Sequence, residues 1–223
     1  MNSYRSSFLD SIPPVVKNLI AINVIMWLAT IALPPVLRRW GIDADLTDIL
    51  GMHYWAADKF NPAQLMTYMF MHGDIGHVFF NMFALYMFGG VLENYWGPRR
   101  FFIYYMVTGV GAGIVQQLFW TVEYHSVVSA LFLNLPVTVG ASGSVFGLLL
   151  AFGWLFPDVR LMMLFFPVPI RARVFVILYG VAELFLGVAN FSGDSVAHFA
   201  HLGGMLFGIV LILIWKKNQF KTW

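Results

Sequence analysis

Six long apolar stretches limit what this 223-residue chain can fold into. They run at about 17–37, 78–96, 101–121, 140–156, 171–190 and 197–215. Each approaches the roughly 20 residues that an α-helix needs to cross a bilayer. The composition agrees, because 60% of the residues are hydrophobic, 11% are charged and the mean hydropathy is +0.75. The sequence therefore predicts an all-α polytopic membrane protein with six transmembrane helices.

One membrane domain is expected over residues 1–223, with a short N-terminal segment, 1–16, and a C-terminal tail, 216–223. The first apolar stretch exceeds the roughly 7–15 apolar residues of a signal peptide and lacks a small-residue cleavage site, so we interpret it as a retained helix. The absence of cysteine excludes disulfides, a thiol nucleophile and cysteine metal ligands.

The basic residues predict the orientation, because cytoplasmic loops carry an excess of Lys and Arg. With the N-terminus inside, the outer loops hold only Arg38, Arg39 and Lys59. Both termini are then cytoplasmic, and spans two, four and six all run inward from the outer face. The basic residues placed inside are Arg5, Lys17, Arg99, Arg100, Arg160, Arg171, Arg173, Lys216, Lys217 and Lys221.

Ser142 and His201 are the leading candidates for chemistry. Polar groups at membrane depth usually mark function, and a serine hydroxyl is a weak nucleophile unless a base removes its proton. Ser142 begins span four, and His201 lies a few residues into span six. Glycines spaced four apart follow each of them, a pattern typical of closely packed membrane helices. If the glycines serve packing alone, Ser142 instead forms a hydrogen bond within its own helix, and His201 forms one to a carbonyl.

His77 and Asn81 stand four apart, on one face of span two. Both donate hydrogen bonds, as acyl transfer requires at a developing oxyanion. We predict that they form an oxyanion hole together with the backbone N–H of Ser142. The alternative is a polar pair that ties span two to its neighbours.

Other polar residues receive secondary interpretations. His198 lies three residues before His201 on nearly the same stripe, but the glycine pattern favours His201 as the base. Glu183 lies in the middle of span five, where we favour a carboxyl bonded to a neighbouring helix over a functional group. Asp194 is disfavoured as a third catalytic member. Ser144, His72 and Glu93 are interpreted as structural.

Four motifs resemble the rhomboid intramembrane serine proteases. They are the sequence from His72 to Asn81, GGVLE at 89–93, GASG before Gly147, and AHLGG at 200–204. The resemblance runs from about His72 to Gly208 and implies a six-span rhomboid-like bundle. It also implies a Ser142–His201 dyad, with His77 and Asn81 in the oxyanion hole. The implied reaction is endopeptidase cleavage of transmembrane segments in membrane-anchored proteins.

Two positions depart from the family's pattern. Many members carry a Trp-Arg pair in the first outer loop, where this chain has Ala63 and Gln64, which puts the anchoring of that loop in doubt. That loop, about 38–76, is interpreted either as lying in the membrane interface or as solvated. Some members have tyrosine four residues after the nucleophile, where Phe146 stands here. Its ring lies on the serine's face, in a position to pack against the imidazole.

The expected partners are single-span membrane protein substrates and the lipid bilayer, with no nucleic acid. No cofactor is expected, and no metal, because the histidines lack the HExxH spacing of a helical metalloprotease. The oligomeric state is left open. The expected location is a bacterial inner membrane, since no Arg-rich transit peptide is evident. A proton channel or transporter, or a scaffold that binds single-span helices, remains as an alternative class.

Overall fold

The computed structural model describes residues 11–124, 137–163, 166–189 and 196–219. Helices dominate these residues, as the sequence predicts. The long ones are α1 (Pro14–Arg38), α6 (Pro98–Tyr124), α8 (Ala172–Ala189) and α9 (His198–Gln219), together with the continuous helix formed by α4 (Ile75–Ala84), a π-turn (Leu85–Gly89) and α5 (Gly90–Trp96). The short ones are α2 (Leu46–Leu50), α3 (Gln64–Thr67), a 3₁₀ turn (Tyr68–Phe70) and α7 (Ser142–Leu155).

Five of these helices are long and apolar enough to cross a membrane. They correspond to predicted spans one, two, three, five and six, so an all-α polytopic bundle is confirmed. α7 corresponds to predicted span four but has only 14 residues, a length of about 21 Å. It lies inside the bundle, with eleven of its residues buried.

The helix boundaries follow from residues with restricted or permissive backbones. Pro14 is the first residue of α1, where its missing N–H costs nothing. Gly97 separates α5 from α6 with φ +78°, a conformation that favours glycine. α1 therefore begins slightly before the predicted segment boundary at residue 16, and α9 continues beyond residue 216.

A small hairpin between α7 and α8 is absent from the predictions. β1 (Arg160–Met163) pairs antiparallel with β2 (Phe166–Arg171), and Arg160 lies opposite Arg171. The sequence gives weak signals for these strands, because prolines are disfavoured in paired strands and are tolerated mainly at edges. In a two-stranded hairpin each strand is an edge.

α9 packs between α6 and α7, and glycine makes this close packing possible. A Cβ on Gly204 would collide with the backbone carbonyl of Gly143 in α7. On the other side, a Cβ on Gly203 would lie 2.7 Å from Val115 Cβ in α6. The predicted contact between spans four and six is therefore present. Gly147, by contrast, faces Thr108 of α6.

Glu93 holds α5 against the first turn of α1, which agrees with its interpretation as a structural residue. Its side chain is 2% exposed. Its carboxylate oxygens accept hydrogen bonds from the backbone N–H groups of Val15, at 3.0 Å, and Val16, at 2.8 Å. These N–H groups lie in the first turn of α1 and have no acceptor within their own helix. The carboxylate also opposes the positive end of the helix dipole.

The first outer loop is anchored by Gln64, which is 3% exposed. Its side-chain nitrogen donates to the carbonyls of Ile49, at 3.1 Å, and Lys59, at 3.0 Å. Its side-chain oxygen accepts from the N–H groups of His53 and Asn61, each at 3.2 Å. One buried amide thus holds three parts of the loop together, without the Trp-Arg pair. Whether the loop lies in the membrane interface stays a prediction.

Candidate active site

The segment before α7 is fixed by the outer loop. Met52 and Thr138 exchange two backbone hydrogen bonds, of 2.9 and 3.0 Å. The N–H of Gly140 then donates to the carbonyl of Tyr68, at 2.9 Å. Gly140 has φ +132°, which permits the turn into the helix. These contacts determine where α7 begins and hence where Ser142 lies.

The structure brings Ser142 and His201 together. His201 Nε2 and Ser142 Oγ are 2.8 Å apart, within hydrogen-bond distance. Ser142 is partly exposed, whereas His201 is buried. Both lie near the first turns of their helices, α7 and α9.

Phe146 supports the imidazole from the side. Its ring stacks on His201 with centroids 4.1 Å apart and an angle of 7° between the planes. Phe146 also stacks on Tyr179 of α8, with ring centroids 5.0 Å apart. The expected contact between Phe146 and the imidazole is therefore confirmed. The stack limits the orientations open to the His201 ring.

Sequence reasoning missed the partners of Glu183. Its Oε2 lies 2.9 Å from His201 Nδ1 and 2.6 Å from His198 Nδ1. The interpretation of Glu183 as a carboxyl bonded to a neighbouring helix is confirmed, but those partners were not predicted. The available signal was a lone acidic residue in an apolar helix opposite two histidines. Asp194, the disfavoured alternative, lies outside the described residues.

His77 lies beside the same position. A Cβ on Gly140 would be 2.7 Å from His77 Nε2 and 3.6 Å from Ser142 Oγ, so the imidazole and the hydroxyl flank this glycine. Asn81 is buried, and its side-chain nitrogen donates to the carbonyl of His77 at 2.9 Å. A primary amide has two N–H groups, so this bond leaves one of them for another acceptor.

Ser144 occupies a structural position, whereas the ring nitrogens of His72 have no hydrogen-bond partner among the described residues. Ser144 is 1% exposed and donates to the carbonyl of Tyr105, at 2.8 Å. His72 is 2% exposed, and its ring lies 5.0 Å from that of His77. Burial, with a smaller effect of the neighbouring His77, lowers the pKa of His72 to about 4. His72 is therefore neutral at physiological pH.

A metal ion is the alternative occupant of the carboxylate–histidine cluster. Glu183, His198 and His201 each offer one ligand atom, and these atoms lie within 4.8 Å of one another. Carboxylate oxygen and imidazole nitrogen are both ligands that zinc accepts. In the structure the same atoms are already paired by hydrogen bonds, and His201 Nε2 points to the serine rather than to the cluster.

The rhomboid domain model matches residues 59–218. Rhomboid protein 1, mitochondrial, of Saccharomyces cerevisiae is 33% identical over 141 residues, 63% of this chain and 38% of the relative. Rhomboid-like protein 11, chloroplastic, of Arabidopsis thaliana is 33% identical over 165 residues, which are 71% of this chain and 54% of the relative. Presenilin-associated rhomboid-like protein A, mitochondrial, of Danio rerio is 29% identical over 178 residues, which are 75% of this chain and 43% of the relative.

The chain belongs to the rhomboid family, and it is an integral, multi-pass membrane protein. The aligned region covers between 38% and 54% of the length of these three relatives. The family supports an intramembrane protease type of function.

Proposed function

We propose that this protein is an intramembrane serine endopeptidase that cleaves transmembrane segments of membrane-anchored proteins. One observation carries the proposal: His201 Nε2 lies 2.8 Å from Ser142 Oγ within a helical bundle. A hydroxyl in contact with an imidazole is the arrangement that activates a serine nucleophile.

In the proposed reaction Ser142 Oγ forms a bond to the carbonyl carbon of the scissile peptide, and its proton passes to His201 Nε2. His201 then gives that proton to the leaving nitrogen as the C–N bond breaks. Water attacks the resulting ester, His201 takes up a proton from the water, and the regenerated serine receives it. The partial exposure of Ser142 is consistent with access by water.

The developing oxyanion needs donors on the other side of the carbonyl carbon. We assign this role to His77, Asn81 and the backbone N–H of Ser142. His77 flanks Gly140 together with the serine hydroxyl. The Ser142 N–H belongs to the first turn of α7, where N–H groups have no acceptor within the helix. Three donors from two helices would then converge on one oxygen.

The proposed substrates are single-span membrane proteins, reached from the outer face with both termini of the protease in the cytoplasm. Since the chain has no cysteine, single cysteines test this orientation cleanly. A membrane-impermeant maleimide should label Gly73→Cys from outside and Arg99→Cys only after the membrane is permeabilised. The reverse pattern would invert the topology. A bacterial inner membrane stays a prediction and receives no support from relatives named mitochondrial or chloroplastic.

Covalent labelling tests the nucleophile. A fluorophosphonate should label the native protein at Ser142 and fail to label Ser142→Ala. Ser144→Ala is the matched control, because this second serine, two residues away, faces the carbonyl of Tyr105 and should leave labelling intact. A native protein that remains unlabelled, or labelling that survives in Ser142→Ala, would contradict the proposal. The first result would favour a transporter, a scaffold or an inactive relative, and the second would assign the nucleophile to another residue.

A further inference from the structure

Glu183 is a buried acid in the middle of a helix whose exposed side chains beyond the first turn are mainly apolar. Only Ala172, Val176 and Glu183 are buried among the residues of α8, and the carboxylate residue is 5% exposed. An ionised side chain at membrane depth is costly unless it is paired and hydrogen-bonded. The two histidines of α9 each supply a hydrogen-bond donor to the carboxylate.

The chemistry of a carboxylate fixes the protons on both histidines. An ionised carboxylate only accepts hydrogen bonds, so the Nδ1 atoms of His198 and His201 must each carry the proton that they share with Glu183 Oε2. In the neutral imidazole that a general base requires, His201 Nε2 is then the unprotonated nitrogen. This is the nitrogen 2.8 Å from Ser142 Oγ, with its lone pair free to accept the serine proton.

We propose that Glu183 is a positioning residue for His201, so that the site operates as a Ser142–His201–Glu183 triad rather than as a dyad. This inference rests on the proposed function. Glu183 selects the required tautomer and holds the ring in place. When the serine proton reaches His201 Nε2, the carboxylate stabilises the imidazolium that forms. α8 thereby supplies the carboxylate, α9 the base and α7 the nucleophile.

His198 acts on the carboxylate rather than on the serine. Its ring is nearly perpendicular to that of His201, at 86°, with centroids 6.3 Å apart. Its Nδ1 shares Oε2 with His201 and restrains the carboxylate. His201→Ala should therefore abolish the reaction, whereas His198→Ala should retain measurable activity.

The test measures the rate at which a fluorophosphonate modifies Ser142. In this reaction Ser142 Oγ forms a bond to phosphorus, fluoride leaves and the serine proton passes to His201. The limiting rate at saturating probe reports the chemical step, and the half-saturating concentration reports binding. Glu183→Gln should lower the limiting rate about 10⁴-fold and change the half-saturating concentration less than about threefold. Glu183→Asp, which keeps the charge, should recover at least about tenfold of that loss.

Glu93→Gln is the matched control, since it also neutralises a buried carboxylate but one that caps α1. It should lower stability and leave the limiting rate of the folded protein within about threefold of native. A merely structural Glu183 would behave in the same way, and that result would overturn the triad. Failure of the native protein to react at Ser142 would instead overturn the proposed function.

A chelator separates the triad from a metal site. Incubation of the native protein with 1,10-phenanthroline should leave the limiting rate unchanged. Loss of labelling that Zn²⁺ restores would overturn the proposal and assign Glu183, His198 and His201 to a metal. A native limiting rate in Glu183→Gln would overturn it as well, while leaving the serine protease function intact.

Discussion

The two helices that flank His201, α7 and α8, differ in how deeply they are buried in the bundle. α7 is buried along eleven of its 14 residues and meets its neighbours through glycines. α8 exposes most of its side chains, including Ile177, Leu178 and Phe185, which suits contact with lipid. Each helix nevertheless supplies one partner of the imidazole: Ser142 from α7 and Glu183 from α8. Substitutions in α7 should therefore disturb the whole fold, whereas those in α8 should act mainly at its few inward positions.

The largest contrast is expected between two glycine substitutions. Gly204 of α9 packs on α7, and Gly204→Ala would press a methyl group against the backbone carbonyl of Gly143 in α7. No rotamer change can relieve this clash. We expect a loss of about 3 kcal/mol or more, together with loss of activity, because separating the helices moves His201 from Ser142. Gly180→Ala in α8 would meet only the flexible end of Met205, at 3.2 Å, and should change stability by less than about 1 kcal/mol. Unfolding in SDS gives both values.

A second contrast uses one residue type in both helices. Leu148 of α7 is fully buried, whereas Leu178 of α8 is 59% exposed. Leu148→Ala leaves a cavity in the bundle and should cost about 2–3 kcal/mol. Leu178→Ala should cost less than about 0.5 kcal/mol, since lipid replaces the lost contacts. Equal losses in the same unfolding assay would show that α8 is as tightly held as α7.

The support that the outer loop gives to α7 can be tested with two glutamines. Gln64→Met removes an amide that bonds four backbone groups, and we expect a loss of about 2–3 kcal/mol. Gln116 is also buried, but its side-chain oxygen has no hydrogen-bond partner among the described residues. Gln116→Met should therefore change stability by less than about 1 kcal/mol. A larger loss in Gln116→Met than in Gln64→Met would contradict this account of the loop.

The smallest expected effect concerns the aromatic stack between α7 and α8. An aromatic pair contributes about 0.5–1.5 kcal/mol beyond its burial, which corresponds to about 2–12-fold in rate. Phe146→Leu should lower the labelling rate of Ser142 within that range, because the His201 ring loses its stacking partner. Phe185→Leu, on the exposed side of α8, should leave the rate unchanged. A rate unaffected by Phe146→Leu would remove the stack from the account.

The sequence predicts the bundle well because apolar length and helix-breaking residues act locally. Pro14, Pro98 and Gly97 mark the ends that the structure shows. The contact between Ser142 and His201 was also predictable, because both helices carry glycines spaced four apart and Gly204 and Gly208 share the helical face of His201. The partners of Glu183 were not, since the rotation of α8 about its own axis depends on packing against α9. The role of the Gln64 amide was missed for the same reason: its four partners are backbone groups brought together only by folding.

The proposed function requires that Ser142 performs peptide-bond hydrolysis within the membrane. Its most direct test is cleavage of a panel of single-span substrates in liposomes that contain either the native protein or Ser142→Ala, with the new termini identified by mass spectrometry. The account predicts cuts within or beside the transmembrane segment by the native protein and none by folded Ser142→Ala. Undiminished cleavage by folded Ser142→Ala would contradict it.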